Sequence, residues 1–285
     1  MANLIDIKRR IKSVKNTQQI TKAMKMVAAA KVRKAQEAIN AARPYAVKVE
    51  EVVSGLASKA DPAQNPLLAS RDEKRVTIVT VTSDKGLCGG FNGNVIRRVL
   101  ALIEEKKDCE RVDVIAIGKK GRDVLKAKGH TLAGEHVGLF KNLDYAKAAK
   151  ISAVLMKQFE NAETDSVYLV YNEFKSLIAQ VVKSGKVLPV VKESEGQTDE
   201  TDYLYEPTSN AILDSVLKKY VEVQLFRALL ESAAGEHGAR MTAMDSATKN
   251  ASEMIGTLTL SYNRARQANI TRELIEIISG ADALG

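Results

Sequence analysis

Residues 82–94, TSDKGLCGGFNGN, hold most of what this chain offers for chemistry. Glycines that follow a β-branched run and precede a helical pattern suit a loop that cradles phosphate. The spacing matches neither GxxxxGK[ST] nor GxGxxG, and Lys85 stands before the glycines instead of after them. The competing reading is a tight strand-to-helix turn whose glycines supply positive φ angles. Cys88 sits where a nucleophile at a helix N-terminus would sit. However, none of His130, His136 and His237 is placed to serve it as a base, and a packed thiol fits better. His130 and His136 lie in a strand-like stretch and make a weak metal pair. His237 falls on a helical seam, where a satisfied structural His is expected. Cys88 and Cys109 form no CxxC or metal pattern, as expected of a reducing compartment. No paired carboxylates or triad stand out, so the residues predict no catalytic centre, no cofactor and no metal site.

The elements that must position this loop are of two kinds. Steps of three and four residues from the start read Leu4, Ile7, Ile11, Val14, Gln18, Thr21, Lys25, Ala28, Val32, Ala35, Ile39, Ala42, Ala46, Val49, Val53, Leu56. All are apolar except Gln18, Thr21 and Lys25, and the run is a heptad seam. Its alanines let a partner helix approach closely. Pro44 is expected to kink or interrupt this helix, and Asp61-Pro62 and Asn65-Pro66 to end it. A second series runs Val216, Tyr220, Val223, Arg227, Leu230, Ala234, His237, Met241, Met244, Thr248, Ala251, Ile255, Leu258, Tyr262, Ala265. Its phase slips over Asn263–Asn269 and resumes at Ile270, Leu274, Ile277 and Ala281. Thr208 or Ser209 is the expected N-cap. One helix over 209–282 would span roughly 110 Å. It needs a partner helix, and the N-terminal seam is the available one. Gln18, Thr21 and Lys25 interrupt that seam beside a second stripe of Ile20, Met24 and Val27, which faces either the coil or another protein. Lys25→Leu is expected to stabilise the coil if the strict heptad holds.

Between the helices, Val76–Thr82, Arg111–Ile117 and Ser166–Phe174 read as strands, with further strand-like stretches in Ile178–Val191. Helical patterns at Asn94–Lys107, Lys119–Lys128 and Tyr145–Asn161 alternate with them, which argues for βαβ units and a mainly parallel sheet. The acidic stretch 192–206 reads as an exposed loop. The expected layout is α/β. A coiled-coil helix over 1–58 and another over 208–285 form a long antiparallel pair, and a Rossmann-like domain occupies 74–207.

The net charge of +8 is uneven. Lys8, Arg9, Arg10, Lys12, Lys15, Lys22, Lys25, Lys31, Arg33 and Lys34 face only Asp6 over the first 34 residues. Such a collar implies an acidic partner. A nucleic-acid surface would bring aromatics or a recognised motif, yet the first aromatic is Tyr45. A membrane-surface helix would need a bulky apolar face, and this one is Ala-rich. No apolar stretch approaches the ~20 residues of a membrane span, and no signal peptide precedes Lys8. The expected protein is soluble or peripheral to a membrane, with no nucleic-acid partner. Two other classes remain open from the residues alone: an α/β enzyme dimerising through helical arms, and a basic coiled-coil nucleic-acid protein.

Three segments in order, KNTQQITKAMKMVAAAKVRKAQ (15–36), SDKGLCGGFN (83–92) and ITRELIEIISGA (270–281), resemble the γ subunits of F-type ATP synthases, supported by ARMTAMDSATKNA (239–251). The resemblance covers the full length. It implies a central rotor shaft inside an α3β3 hexamer, with the α/β domain near the ε subunit and the c-subunit ring. Proton flow would turn the c ring and the shaft, while ATP chemistry stays in the β subunits and no cofactor binds here. It places the basic collar, Lys8, Arg9, Arg10 and Lys12, with Met24 and Lys25, against acidic loops of the β subunits. It places Arg266 and Gln267 at the catch loop, Thr271 and Glu273 in the same upper region, and Lys85, Gly86, Cys88 and Gly89 in a low loop near the stator. It further implies a bacterial protein peripheral to the cytoplasmic face of the inner membrane. Gly235 and Gly238 depart from the family pattern and, at roughly 1 kcal/mol each in a helix interior, are expected to soften or bend the shaft.

Overall fold

The computed structural model describes residues 4–59, 65–190 and 209–282. The acidic stretch 192–206, Thr208 and Asp61-Pro62 lie outside the described residues. The chain divides into two compact units, residues 29–240 and the helical ends 1–28 with 241–285.

Within residues 29–240 the strands are β1 (Arg75–Val81), β2 (Arg111–Ile117), β3 (Leu132–His136), β4 (Ser166–Phe174) and β5 (Gln180–Leu188). The helices are α2 (Phe91–Glu105), α3 (Lys119–Ala127) and α4 (Tyr145–Glu160), with parts of α1 (Leu4–Lys59) and α5 (Ser209–Asp282). The sheet order is β3-β2-β1-β4-β5. The first four strands run parallel, and β5 returns antiparallel to β4. β1 is apolar or Thr throughout after Arg75 and buried on both faces, as a central parallel strand must be. β5 alternates between more and less buried positions, as an edge strand does. β3 has weak strand chemistry, Leu-Ala-Gly-Glu-His, and sequence periodicity does not isolate it. A Cβ at Gly134 would stand 3.4 Å from Ile115 Cγ2, an ordinary packing distance, so nothing in the space around it requires glycine.

Alternation along the strands makes two apolar layers. Val76, Ile78, Val114 and Val170 face α2 and α3 through Val95, Val99, Leu102 and Leu125. Val79, Val81, Ile115, Ile117 and Leu169 face α4 and the first part of α5, from Leu213 to Leu229, together with Val53 of α1. Burying each such Leu is worth about 1.5–3 kcal/mol. The first part of α5 is therefore a core helix of the α/β unit. Farther along it, Leu230 and Ala234 pack on Ile39, Ala35, Ala38 and Ala42 of α1.

Pro44 does not interrupt α1, which runs unbroken for 56 residues. Pro44 and Asn40 both lie on the exposed face, so the carbonyl that loses its intrahelical donor turns to water, while Ile39 and Ala46 stay buried. Asn65 does not end α1. It caps a separate short 3₁₀ turn, Pro66–Leu68, by accepting from Leu67 N at 3.0 Å. Gly235 and Gly238 do not break α5 either, which is continuous over 74 residues. A Cβ at Gly235 would meet Phe91 Cε2 at 3.2 Å, and one at Gly238 would meet Phe174 Cε2 at 3.3 Å. These glycines let the helix touch α2 and the β4–β5 hairpin directly.

In the unit of the two helical ends, the seam is the expected heptad. Ile7, Thr21 and Ala28 of α1 are buried, as are Met244 and Ala251 of α5. The polar gap is filled by cross-helix pairs. Thr21 and Thr248 hydroxyls lie 2.8 Å apart, and Lys25 Nζ reaches Asp245 Oδ1 at 2.6 Å. The gain expected of Lys25→Leu is thus offset by a lost ion pair, a part-exposed one worth about 0.2–1 kcal/mol. Ile20 and Val27 remain exposed and Met24 half-buried, so the second stripe does not belong to the coil.

A matched pair of variants separates the two roles of glycine in α5. Gly235→Val should destabilise by about 1–3 kcal/mol through overpacking on Phe91. Gly256→Ala, which meets nothing within 4 Å, should stabilise by about 0.5–1 kcal/mol. Urea midpoints measure both, and a destabilising Gly256→Ala would show that α5 needs flexibility there.

Candidate functional site

The glycine loop between β1 and α2 is a cross-braced turn. Thr82 follows β1, donating from Oγ1 to Ile117 O at 3.1 Å and accepting from Gly121 N at 2.9 Å. Only glycine fits at position 118, where φ is +96° and a Cβ would fall 2.0 Å from Thr82 O. Asp84 accepts from Lys119 N at 3.0 Å and from Gly138 N at 3.1 Å, which caps α3 from a distance with a negative charge at its N-terminus. Asn92 accepts from Ser83 N at 2.9 Å and donates to Ser83 Oγ at 2.8 Å and Cys88 Sγ at 3.2 Å. Leu87 and Gly89 take positive φ. The turn reading is the one the structure matches: its polar groups bond one another and the neighbouring α3, β2, β3–α4 and α5 segments.

Cys88 is buried, and burial pushes its thiol up, away from the reactive thiolate. It is the packed thiol expected. Lys85, Leu87 and Gly89 form the exposed rim, with Leu87 64% exposed.

Sequence reasoning missed the residue that holds this loop. Arg240 of α5 donates to Gly86 O at 3.1 Å, to Glu236 Oε1 at 2.7 Å and to His237 Nδ1 at 3.2 Å. Arg240 and Glu236 are both buried, so each charge depends on the other. Burial pushes the Glu236 carboxyl up despite Arg240. Burial, then Arg240 and Lys31, hold His237 down at about 4. His237 is the satisfied structural His expected. The available signal was the segment 239–251, in which Arg240 carries this bond.

The remaining expected site residues lie in the other unit. Lys8, Arg9, Arg10 and Lys12 are exposed, with Arg9 paired to Asp6 at 3.0 Å. Arg266, Gln267, Thr271 and Glu273 lie past Ala265, where every described residue of α5 is exposed. Ile270, Leu274, Ile275, Ile277 and Ile278 there are 49–68% exposed. So many exposed apolar side chains on one helix mark a surface made for a partner. Among the described residues no helix is long and apolar enough to cross a membrane, and no His, Cys, Asp or Glu group could hold a metal.

Two long terminal helices and a sheet of order 3-2-1-4-5 make up the fold of ATP synthase central-stalk proteins. A chain of the Euglena gracilis mitochondrial ATP synthase shares it over 99% of this chain and 94% of its own, at 19% identity and a TM-score of 0.68. A central-stalk chain of the Tetrahymena thermophila enzyme matches 80% of this chain and 99% of its own, at 29% identity and a TM-score of 0.62. The ATP synthase family profile matches residues 3–284. ATP synthase gamma chains of Geobacter sp. strain M21 and Pelotomaculum thermopropionicum are 52% and 48% identical, each over all of this chain and 99–100% of their own. The chain belongs to the ATP synthase gamma chain family, the rotor-shaft subunits.

His237 gives the 29–240 unit a pH dependence of definite sign. Its folded pKa, about 4, lies below the ordinary 6.5, so the unfolded chain binds the proton more tightly. The stability it contributes is complete above pH 6.5 and is lost as the pH falls towards 4. His237→Gln should therefore flatten the fall of the urea midpoint over that window relative to the parent. An unchanged slope would mean that His237 is protonated in the fold.

Proposed function

We propose that this rotor shaft is non-catalytic, that it works between an α3β3 hexamer and a c-subunit ring with an ε subunit beside it, and that it lies at the cytoplasmic face of the membrane. The observation that carries the reading is the exposed apolar end of α5 beyond Ala265, set beside an exposed basic collar on α1. By its register, with Thr21 opposite Thr248 and Lys25 opposite Asp245, Leu4 falls opposite Ala265. The described helix continues for a further ~25 Å at 1.5 Å per residue, past the last described residue of α1. A surrounding ring would cover it.

In this reading Arg266, Gln267, Thr271 and Glu273 meet the catch loop. Lys8, Arg9, Arg10 and Lys12 meet acidic loops of the β subunits, where opposite charge sets orientation more than affinity. Met24, with exposed Ile20 and Val27, offers those loops an apolar stripe. Lys25 contributes first to the shaft through Asp245. Lys85, Gly86 and Gly89 face the stator through backbone and rim atoms. The related structures, a central stalk with a c ring from Tetrahymena and an F1 with a c ring from Euglena, are assemblies of this kind. Torque is carried by covalent helices and a packed seam, so the shaft needs no chemistry of its own.

The purified chain, freed of other subunits, should hydrolyse no ATP in a coupled assay. Turnover that co-purifies with the chain through several columns would overturn the non-catalytic reading.

Met24→Glu should change the shaft's own urea midpoint by less than ~0.5 kcal/mol, as a surface substitution does. It should lower proton pumping per ATP hydrolysed in the reconstituted complex. A loss of several kcal/mol in folding with normal coupling would return Met24 to the coil.

A further inference from the structure

Of the asparagines in the sequence, only Asn92 is followed by glycine. An asparagine amide is attacked most readily by the main-chain N–H of a following glycine, because no Cβ crowds the approach and the glycine backbone turns freely. Both partners of that reaction sit in the first turn of α2. Gly93 is exposed, with nothing within 4 Å of where a Cβ would stand. Its N–H belongs to the first turn, where no intrahelical carbonyl is available. The nucleophile is therefore within reach of solvent and not committed to the helix ladder.

The electrophile is held. Asn92 Oδ1 accepts from Ser83 N at 2.9 Å, and Nδ2 donates to Ser83 Oγ at 2.8 Å and to Cys88 Sγ at 3.2 Å. A helical ψ near −42° also directs Gly93 N away from Asn92 Cγ. Ring closure thus requires the turn to open. The Asn92 side chain must leave Ser83 and Cys88, and Asn94 N must release Gly90 O, which it reaches at 2.9 Å. The intrinsic rate is then scaled by the small fraction of time that the turn is open.

We propose that Asn92-Gly93 is a site of spontaneous deamidation, gated by opening of the first turn of α2. Gly93 N forms a bond to Asn92 Cγ and passes its proton to hydroxide. The Cγ–Nδ2 bond breaks, and Nδ2 leaves as ammonia after taking a proton from water. One water molecule then opens the cyclic imide, at Cγ to give aspartate or at the main-chain carbonyl to give isoaspartate. Either product puts a carboxylate where the amide stood, so Ser83 Oγ and Cys88 Sγ lose the N–H they accept. Isoaspartate also lengthens the main chain by a methylene next to Phe91. That residue's ring lies against Gly235, and its carbonyl accepts from Asn172 Nδ2 at 3.1 Å. The modification therefore loosens the loop where it meets α5. The inference is independent of the rotor assignment, since it rests on the Asn-Gly peptide and its bracing alone.

The full chain is incubated in mildly alkaline buffer, folded and in concentrated urea. The tryptic peptide 86–97 is followed by mass spectrometry for the change from amide to acid, and isoaspartate by enzymatic methylation. Both samples should convert at Asn92, the folded chain roughly tenfold or more slowly. The ratio of the two rates should match the hydrogen-exchange protection of Asn94 N–H, which opens with the same turn, within about threefold. Ser83→Ala, which removes an acceptor of Nδ2, should raise the folded rate several-fold and leave the rate in urea unchanged. Gly93→Ala, which the open space around Gly93 tolerates, should suppress conversion in both. Equal rates in the folded and urea samples overturn the proposal, as does a folded chain that stays intact well beyond the time set by Asn94 exchange. A folded Ser83→Ala chain that converts no faster than the parent also overturns it. Should Ser83→Ala fail to fold by circular dichroism, the match between the parent's rate ratio and Asn94 protection decides, and a mismatch overturns the gating.

Discussion

A helix of 74 residues cannot bury itself, and the rest of this structure follows from how α5 meets that constraint. Hydrogen bonds along the backbone make such a helix continuous, but in water they add little net stability. The chain must therefore supply apolar contact along its length. It does so in succession, with different partners: the sheet and α4 from Leu213 to Leu229, then α1 around Leu230 and Ala234. In the unit of the helical ends the contact is the heptad seam, as far as Ala265. Past that point no described residue covers the helix, and its apolar side chains stay exposed.

The same constraint explains why α5 carries glycine where a free helix would not. Gly235 and Gly238 weaken helix propensity, yet they allow Phe91 and Phe174 to lie against the helix backbone. One turn away, Arg240 bonds the backbone of the β1–α2 loop at Gly86 while neutralising buried Glu236. Close apolar approach and a buried charged clamp thus occur side by side. The loop whose glycines resemble a phosphate cradle is a joint: its side chains brace one another, and α5 holds its carbonyl.

The polar interruption of the seam has a related logic. Thr21 with Thr248, and Lys25 with Asp245, satisfy each other across the helices. Polar pairs at seam positions specify register and orientation at some cost in stability. A shaft assembled from two distant chain segments benefits from that specification, because an alanine-rich seam tolerates sliding.

Much of this was legible in the sequence. Up to Ala265, the heptad series is buried or half-buried at every described position, because a period of seven admits one face only. Arg111–Ile117 and Ser166–Phe174 appear as strands with those same bounds, because runs buried on both faces must be largely apolar. Tertiary structure decided the rest. It decided that Pro44 is harmless, since its orphaned carbonyl faces water. It decided that Gly235 and Gly238 serve packing, since no local pattern says what lies against them. It decided that Cys88 is sealed, that Lys25 finds Asp245 and that Arg240 holds Gly86. The last two pairs join residues 220 and 154 positions apart. Local periodicity records which face of an element is buried; it does not record the identity of the atom that the fold brings against it.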